Sequence, residues 1–220
     1  MLYWVVKAVL TPILRVCFRV NVEGRENLAP RGPVILASNH RSFLDSIFLP
    51  LVLRRRVTFV AKAEYFDDPK TAWFFRGVGQ IPIRREGGSA SERALASATE
   101  VLQAGGVFAI YPEGTRTRDG FLHRGHTGVA RLCLRTGTPV VPVGLIGTEK
   151  VQPIGARLPV IGPKVEVRVG KPLNLSAWQD APVDSRACRQ IAAAVMDEIQ
   201  QLTGQQYVGR YAPRRDRDLE

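Results

Sequence analysis

Cysteine is scarce in this chain: Cys17, Cys133 and Cys188 are the only three in 220 residues, spread too widely for a disulfide framework. Histidine is equally rare, and His40, His123 and His126 fall at no spacing that would hold zinc with those thiols. No signal-peptide cleavage pattern, internal repeat or low-complexity tract is present, and a reducing, cytoplasmic setting is expected. Gly87-Gly88-Ser89 is followed by no Gly-Lys-Ser or Gly-Lys-Thr, so it reads as a lead-in to a helix and not as a phosphate loop. Helix-turn-helix, finger and RNA-binding aromatic signatures are missing too.

Acidic residues are in the minority. Lys and Arg number 31 against 20 Asp and Glu, a formal net charge of +11, which calls for an acidic partner. With no nucleic-acid motif, the expected partner is an anionic membrane surface. A 45% hydrophobic content in 220 residues suffices for one α/β domain with a substantial core. Arg54-Arg55-Arg56 ends a predicted helix, where the helix dipole or anionic lipid accounts for it without chemistry.

Two motifs carry chemistry. Val34-Ile35-Leu36-Ala37 reads as a buried strand and Phe43 to Leu53 has helical apolar spacing, so His40 sits where a strand turns into a helix. Asp45 then falls in the helix's first turn, where its carboxylate can accept the Nδ1 proton of His40 and leave Nε2 to face a hydroxyl. The alternative is structural: Ser42-Phe43-Leu44-Asp45 also matches a capping box. A second motif, Tyr111-Pro112-Glu113-Gly114-Thr115-Arg116, follows another apolar strand, and this turn is suited to hold a polar, anionic substrate. Acyl transfer from a thioester to an alcohol needs an activated hydroxyl, a stabilised oxyanion and a grip on the acceptor, but no metal or redox cofactor. Cys133, in the helical pattern Val129 to Leu134, reads as a small buried hydrophobe, which disfavours an acyl-cysteine intermediate.

Four blocks in order, residues 39–45, Gly79-Gln80-Ile81-Pro82-Ile83-Arg84-Arg85, Tyr111 to Arg116 and Val141-Pro142-Val143, resemble the glycerophosphate and lysophosphatidate acyltransferase family, most closely its bacterial 1-acylglycerol-3-phosphate members. The resemblance implies His40 as general base, Asp45 as its orienter, Arg85 and Arg116 on the substrate phosphate, and Glu113 with Gly114 shaping the glycerol site. It further implies an acyl-coenzyme A or acyl carrier protein donor, a lysophospholipid acceptor and no cofactor. Two departures stand out: Arg84 replaces the usual acidic residue of the second block, so either arginine can contact phosphate, and Leu122-His123-Arg124-Gly125-His126 replaces a segment that commonly holds a lysine. A relative acting on another lysophospholipid or on glycerol 3-phosphate, and a non-catalytic binder of anionic lipid, are the alternatives.

The organisation expected is an amphipathic interface helix over residues 1–20, an acyltransferase domain over 21–205 and a charged flexible tail over 206–220. In the first segment Lys7, Thr11, Arg15 and Arg19 recur every fourth residue as a polar stripe. The helix would be about 28 Å long, but a basic side chain near the membrane centre costs roughly 2.5–3.5 kcal/mol, so lying in the interface is preferred to crossing, with packing on the core as the soluble alternative. The implied location is the cytoplasmic face of the membrane. Strands are predicted over 16–22, 34–37, 57–61, 80–83, 107–111, 140–145 and 165–169, and helices over 43–53, 71–75, 89–103, 127–135 and 185–202. Their alternation predicts an α/β fold with a mixed, largely parallel sheet covered by helices on both faces. Trp73-Phe74-Phe75 is the candidate surface for the acyl chain, with membrane contact or packing as alternatives, and the Pro- and Gly-rich stretch 152–163 reads as a surface connection.

Overall fold

The computed structural model describes residues 1–83, 90–178 and 183–213. In chain order its elements are α1 (Leu2–Phe18), β1 (Asn21–Glu23), β2 (Val34–Ser38), α2 (Asp45–Phe48), β3 (Val57–Lys62), α3 (Glu64–Asp67), α4 (Pro69–Gly77), β4 (Ile81–Ile83), α5 (Ala90–Gln103), β5 (Val107–Ile110), β6 (Leu122–His123), α6 (Gly128–Thr136), β7 (Val140–Ile146), α7 (Thr148–Val151), β8 (Glu166–Val169), α8 (Ser185–Thr203) and β9 (Tyr207–Val208). Seven strands form one sheet in the order β1-β8-β7-β2-β5-β3-β4, parallel throughout except for the antiparallel pair β7 and β8; β6 and β9 form a separate parallel pair.

Side chains alternate across a strand, so β2 feeds two cores. Val34 and Leu36 pack with Phe18, Phe48, Leu49 and Val52 on one face. Ile35 and Ala37 pack on the other with Leu95 of α5, Leu132 of α6 and Ile191 of α8. Because β2 pairs in parallel with both β5 and β7, the carboxyl ends of three strands lie together, with Ala37 opposite Ile110 of β5 and Ser38 opposite Val143 of β7, so that Asn39 and Tyr111 emerge side by side.

Several predicted boundaries moved. The strand expected over 16–22 does not form, because Leu14 and Phe18, one turn apart, continue the buried face of α1; the helix stops at Arg19, whose φ of 43° is left-handed, and the strand starts at Asn21. The helix expected over 43–53 is one α-turn followed by a 3₁₀ turn over Leu49–Val52, because Pro50 supplies no N–H and its ring obstructs the preceding turn. Residues 64–77 hold two helices, α3 and α4, where only 71–75 was expected. The tail expected from residue 206 instead pairs at Tyr207–Val208 with Leu122–His123, since backbone donors and acceptors next to a strand find partners there; residues 214–220 lie outside the described segments.

The stripe on α1 also turned out otherwise. Lys7 faces the domain, donating to the carbonyls of Pro50 at 2.7 Å, Leu53, and Arg55 at 3.3 Å, in and just after the 3₁₀ turn. Burial, aided by the nearby Arg25 charge, lowers its pKa to about 8. Thr11 donates back to the Lys7 carbonyl at 2.6 Å. The outward face is apolar instead: Trp4, Val5, Val9, Ile13 and Val16 are 48–79% exposed. Among the described residues no helix is long and apolar enough to cross a membrane.

Candidate active site

The strand-to-helix corner after β2 is held from three sides. Asn39, fully buried, accepts from the Leu145 amide and donates to the Leu145 carbonyl, each at 2.8 Å, which fastens the end of β2 to β7. The His40 carbonyl accepts from the Thr117 amide at 2.9 Å, and the His40 amide donates to Glu113 Oε2 at 3.1 Å, which fasten the corner to the turn after β5. Ser42 Oγ donates to the Gln152 carbonyl at 2.9 Å, beyond α7.

Asp45 Oδ2 lies 2.8 Å from His40 Nδ1 and also accepts the amides of Arg41 at 2.7 Å and Ser42 at 2.8 Å. Orienting and capping are therefore one arrangement, with a single oxygen serving both. Asp45 is wholly buried, while the imidazole retains 17% exposure. An ionised carboxylate only accepts, so Nδ1 carries the proton and Nε2 is left as the basic nitrogen. The ring lies flat on Tyr111, centroids 3.8 Å apart and planes 8° from parallel. The Tyr111 hydroxyl reaches Ser46 Oγ at 3.0 Å, and burial, then the Asp45 charge, raises its pKa well above the usual phenol value. Face and edge of the imidazole are thus both fixed.

Glu113 is only 1% exposed, and its second oxygen accepts the His123 amide at 2.9 Å. Burial pushes its pKa up to about 7 despite the His123 and His40 amides, which pull the other way. Both of its oxygens thus face backbone amides. Gly114, at φ 73°, forms the crest of the turn, and an added Cβ would come within 3.1 Å of the His126 ring, so glycine is required on two counts. Thr115 and Arg116 are half-buried on the descending limb. Arg84 and Arg85 lie outside the described residues. Burial raises the Cys133 pKa to about 11, so its thiol stays protonated and unreactive.

The family model described as Acyltransferase matches residues 19–146, more than half of the chain. The chain belongs to the acyltransferase family. A chloroplastic 1-acyl-sn-glycerol-3-phosphate acyltransferase of Arabidopsis thaliana is 34% identical over 158 residues, covering 71% of this chain and 44% of that protein. A 1-acyl-sn-glycerol-3-phosphate acyltransferase of Borreliella burgdorferi is 26% identical over 146 residues, 62% of this chain and 58% of the relative. The crystal structure of the 1-acyl-sn-glycerophosphate (LPA) acyltransferase PlsC from Thermotoga maritima superposes with a TM-score of 0.65 at 29% identity, covering 83% of this chain and 71% of that one. The chain spans about half the length of the first curated relatives it matches.

Sequence reasoning passed over several residues that build this acyltransferase's site. Asn39 carries no signal in the sequence beyond standing next to His40, although its side chain sets the corner. Glu149, from α7, pairs with Arg41 at 3.1 Å, and nothing local marked it. Tyr111 was read as the end of a strand; an aromatic immediately before Pro-Glu-Gly was the available signal for the ring beneath His40.

Proposed function

We propose that this acyltransferase moves a fatty acyl group from an acyl thioester to the free hydroxyl of 1-acylglycerol 3-phosphate, giving phosphatidic acid. The observation that carries the reading is the His40–Asp45 pair, with its carboxylate buried and its imidazole reachable, in a chain of the acyltransferase family. The names of the relatives support the choice of acceptor. In the reaction, His40 Nε2 takes the hydroxyl proton as the acceptor oxygen attacks the thioester carbonyl. Asp45 holds the resulting imidazolium by its Nδ1–H. When the tetrahedral intermediate collapses, the carbon–sulfur bond breaks and the imidazolium proton goes to the departing thiolate, releasing the thiol. Arg116, with Arg84 or Arg85, grips the acceptor phosphate through paired guanidinium donors. Glu113 sets the spacing between the His40 corner and that arginine's turn through the two amides it accepts.

The donor is acyl-coenzyme A or acyl carrier protein. Mass-spectrometric detection of product from a panel of acceptors, lysophosphatidate, other lysophospholipids, glycerol 3-phosphate and monoacylglycerol, each offered with both donors, tests the reading. Phosphatidic acid as the dominant product is expected. Preferential acylation of monoacylglycerol, or no transfer to any acceptor, overturns it.

We also propose that the outward face of α1 lies in the lipid interface on the cytoplasmic side of the membrane. The support is its unbroken apolar surface, the exposed Arg15 and Arg19 at its end, and the neighbouring loop tip of Leu158, Val160 and Ile161, 56–78% exposed. That loop is tied to α1 where the Gly162 amide donates to the Cys17 carbonyl at 3.1 Å. Replacing Val9 and Ile13 together by Glu should release the protein from anionic liposomes. Complete sedimentation of that variant with liposomes at physiological salt rejects this placement.

A further inference from the structure

The last described segment of the chain returns to the active site. Gly204, at φ 70°, ends α8 and swings the chain so that the Gln205 amide donates to Thr203 Oγ1 at 3.2 Å. This directs the Gln205 side chain between two catalytic-edge segments, the His40 corner and the loop after Arg116, which the Thr117 amide and the Glu113 carboxylate also join. Its Oε1 accepts from Asn39 Nδ2 at 2.8 Å, and its Nε2 donates to the Gly120 carbonyl at 2.9 Å. Asn39 directly precedes His40. Gly120, at φ 82°, closes the loop that descends from Thr115 and Arg116.

Beyond Gln205 the chain continues as a strap over the same loop. The Leu122 amide donates to the Gln206 carbonyl and the Arg124 amide to the Arg210 carbonyl, each at 2.9 Å. Tyr211 stacks on His126 with centroids 4.7 Å apart, and the Arg124 guanidinium lies 5.1 Å over the Tyr211 ring. His126 in turn donates its amide to the Pro112 carbonyl at 2.8 Å. The strap therefore bears on the start of the Glu-Gly-Thr-Arg turn through His126 and Pro112, while Gln205 ties the loop that follows it, at Gly120, to Asn39.

We infer that Gln205 is a positioning residue, which seats the loop carrying Arg116 against the His40 corner and so sets the separation between the base and the acceptor's phosphate. Neither motif contains it, and it lies 166 positions from Asn39 in sequence. The catalytic part of this inference rests on the acceptor reading given above; the seating of the loop does not. An amide is the one side chain of this length that accepts from Asn39 and donates to a carbonyl at once. Methionine keeps its length and loses both bonds, whereas glutamate keeps the acceptor and, when ionised, loses the donor.

Two measurements on the full chain separate seating from catalysis. Hydrogen exchange at the Thr117 amide, whose partner is the His40 carbonyl, reads the loop without substrate. In Gln205→Met it should exchange about tenfold faster, the scale of losing one or two neutral hydrogen bonds, while amides of β2 and β7 hold their rates. Steady-state kinetics should show kcat/KM for lysophosphatidate down by about the same factor, with KM for the acyl donor unchanged and Gln205→Glu at least twofold below the parent. Combined with Arg116→Ala, Gln205→Met should cost much less than it does alone, because the group it positions is gone. Unchanged Thr117 exchange overturns the inference whatever the kinetics. Faster exchange with kcat/KM within twofold of the parent overturns it as well, since a displaced loop would then not matter to the reaction. If the parent itself transfers no acyl group, the acceptor reading is what fails, and the exchange measurement still decides whether Gln205 seats the loop.

Discussion

Two histidine–aspartate pairs sit within one turn of each other around Glu113, and they are built in opposite senses. In the first, Asp45 is 0% exposed and His40 17%, with 2.8 Å between Oδ2 and Nδ1. In the second, Asp119 is 37% exposed and His123 1%, with 3.0 Å between Oδ2 and Nε2. Nearly equal distances thus conceal a reversal of which partner water can reach. A buried carboxylate, shielded from solvent, acts at full strength on an imidazole whose other nitrogen faces outward. A buried imidazole tied to a solvated carboxylate has no nitrogen to offer: His123 Nδ1 is enclosed and finds no partner. On the function proposed above, the first pair moves a proton, whereas the second ties His123 of β6 to the segment before it.

The sharpest way to break this contrast is to remove each imidazole in turn. His40→Ala should lower kcat by about 10²–10⁴-fold, the usual range for a general base, with the melting temperature close to that of the parent. Turnover near the parent's in a folded sample would sink the assignment. Asp45→Asn should lower kcat by at least about 10²-fold, because an amide cannot hold imidazolium, while release of thiol and thermal unfolding are followed in parallel. Its stability loss should stay near 1–2 kcal/mol, since the amide oxygen can still accept the Arg41 and Ser42 N–H groups. Collapse of the fold with turnover per folded molecule intact would make Asp45 a cap and nothing more.

The carboxyl joining the two pairs gives a pH-dependent signature of intermediate size. With its pKa raised from the usual 4.5 to about 7, Glu113 binds more protons in the folded than in the unfolded chain between those values. Its contribution is complete below pH 4.5 and declines as pH climbs to about 7, by an amount on the order of 3 kcal/mol. Glu113→Gln should flatten that decline when urea unfolding is compared at pH 5 and pH 7.5; parallel curves for the two proteins would show that Glu113 is ionised throughout. The second pair should give the smallest effects. His123→Gln should cost about 1–2 kcal/mol of stability and leave kcat of the folded protein within about threefold, and Asp119→Asn, at a solvated site, no more than about 1 kcal/mol. A His123→Gln loss of kcat as large as that of His40→Ala would erase the distinction between the pairs.

Local information decided what could be read beforehand. His40 and Asp45 are five residues apart, so a strand followed by a turn is enough to bring them together, and β2, β5, β7 and α8 each carry an unbroken periodic signal. The face that Lys7 presents was not legible, because four residues at helical spacing say which side chains share a stripe but not whether the stripe meets water or carbonyls 43–48 residues away. Glu113 was legible as special and not as buried: its partners are two backbone amides, which every residue but proline carries. Asn39 and Gln205 escaped for a related reason, as single amides whose meaning depends on a contact spanning most of the chain.

The edge strand β1 bears on how the molecule is made. Its ladder is formed with β8, Asn21 opposite Glu166, so this strand must wait for one made about 145 residues later. The end of α1 waits with it, since Phe18 and Cys17 offer their carbonyls to Val165 and Gly162. A chain emerging from the ribosome therefore carries α1 undocked while most of the sheet is still unmade, with its inner apolar face as bare as its outer one. High contact order of this kind slows folding. It also gives a chaperone or a nearby bilayer first claim on α1, before the segments it packs against exist.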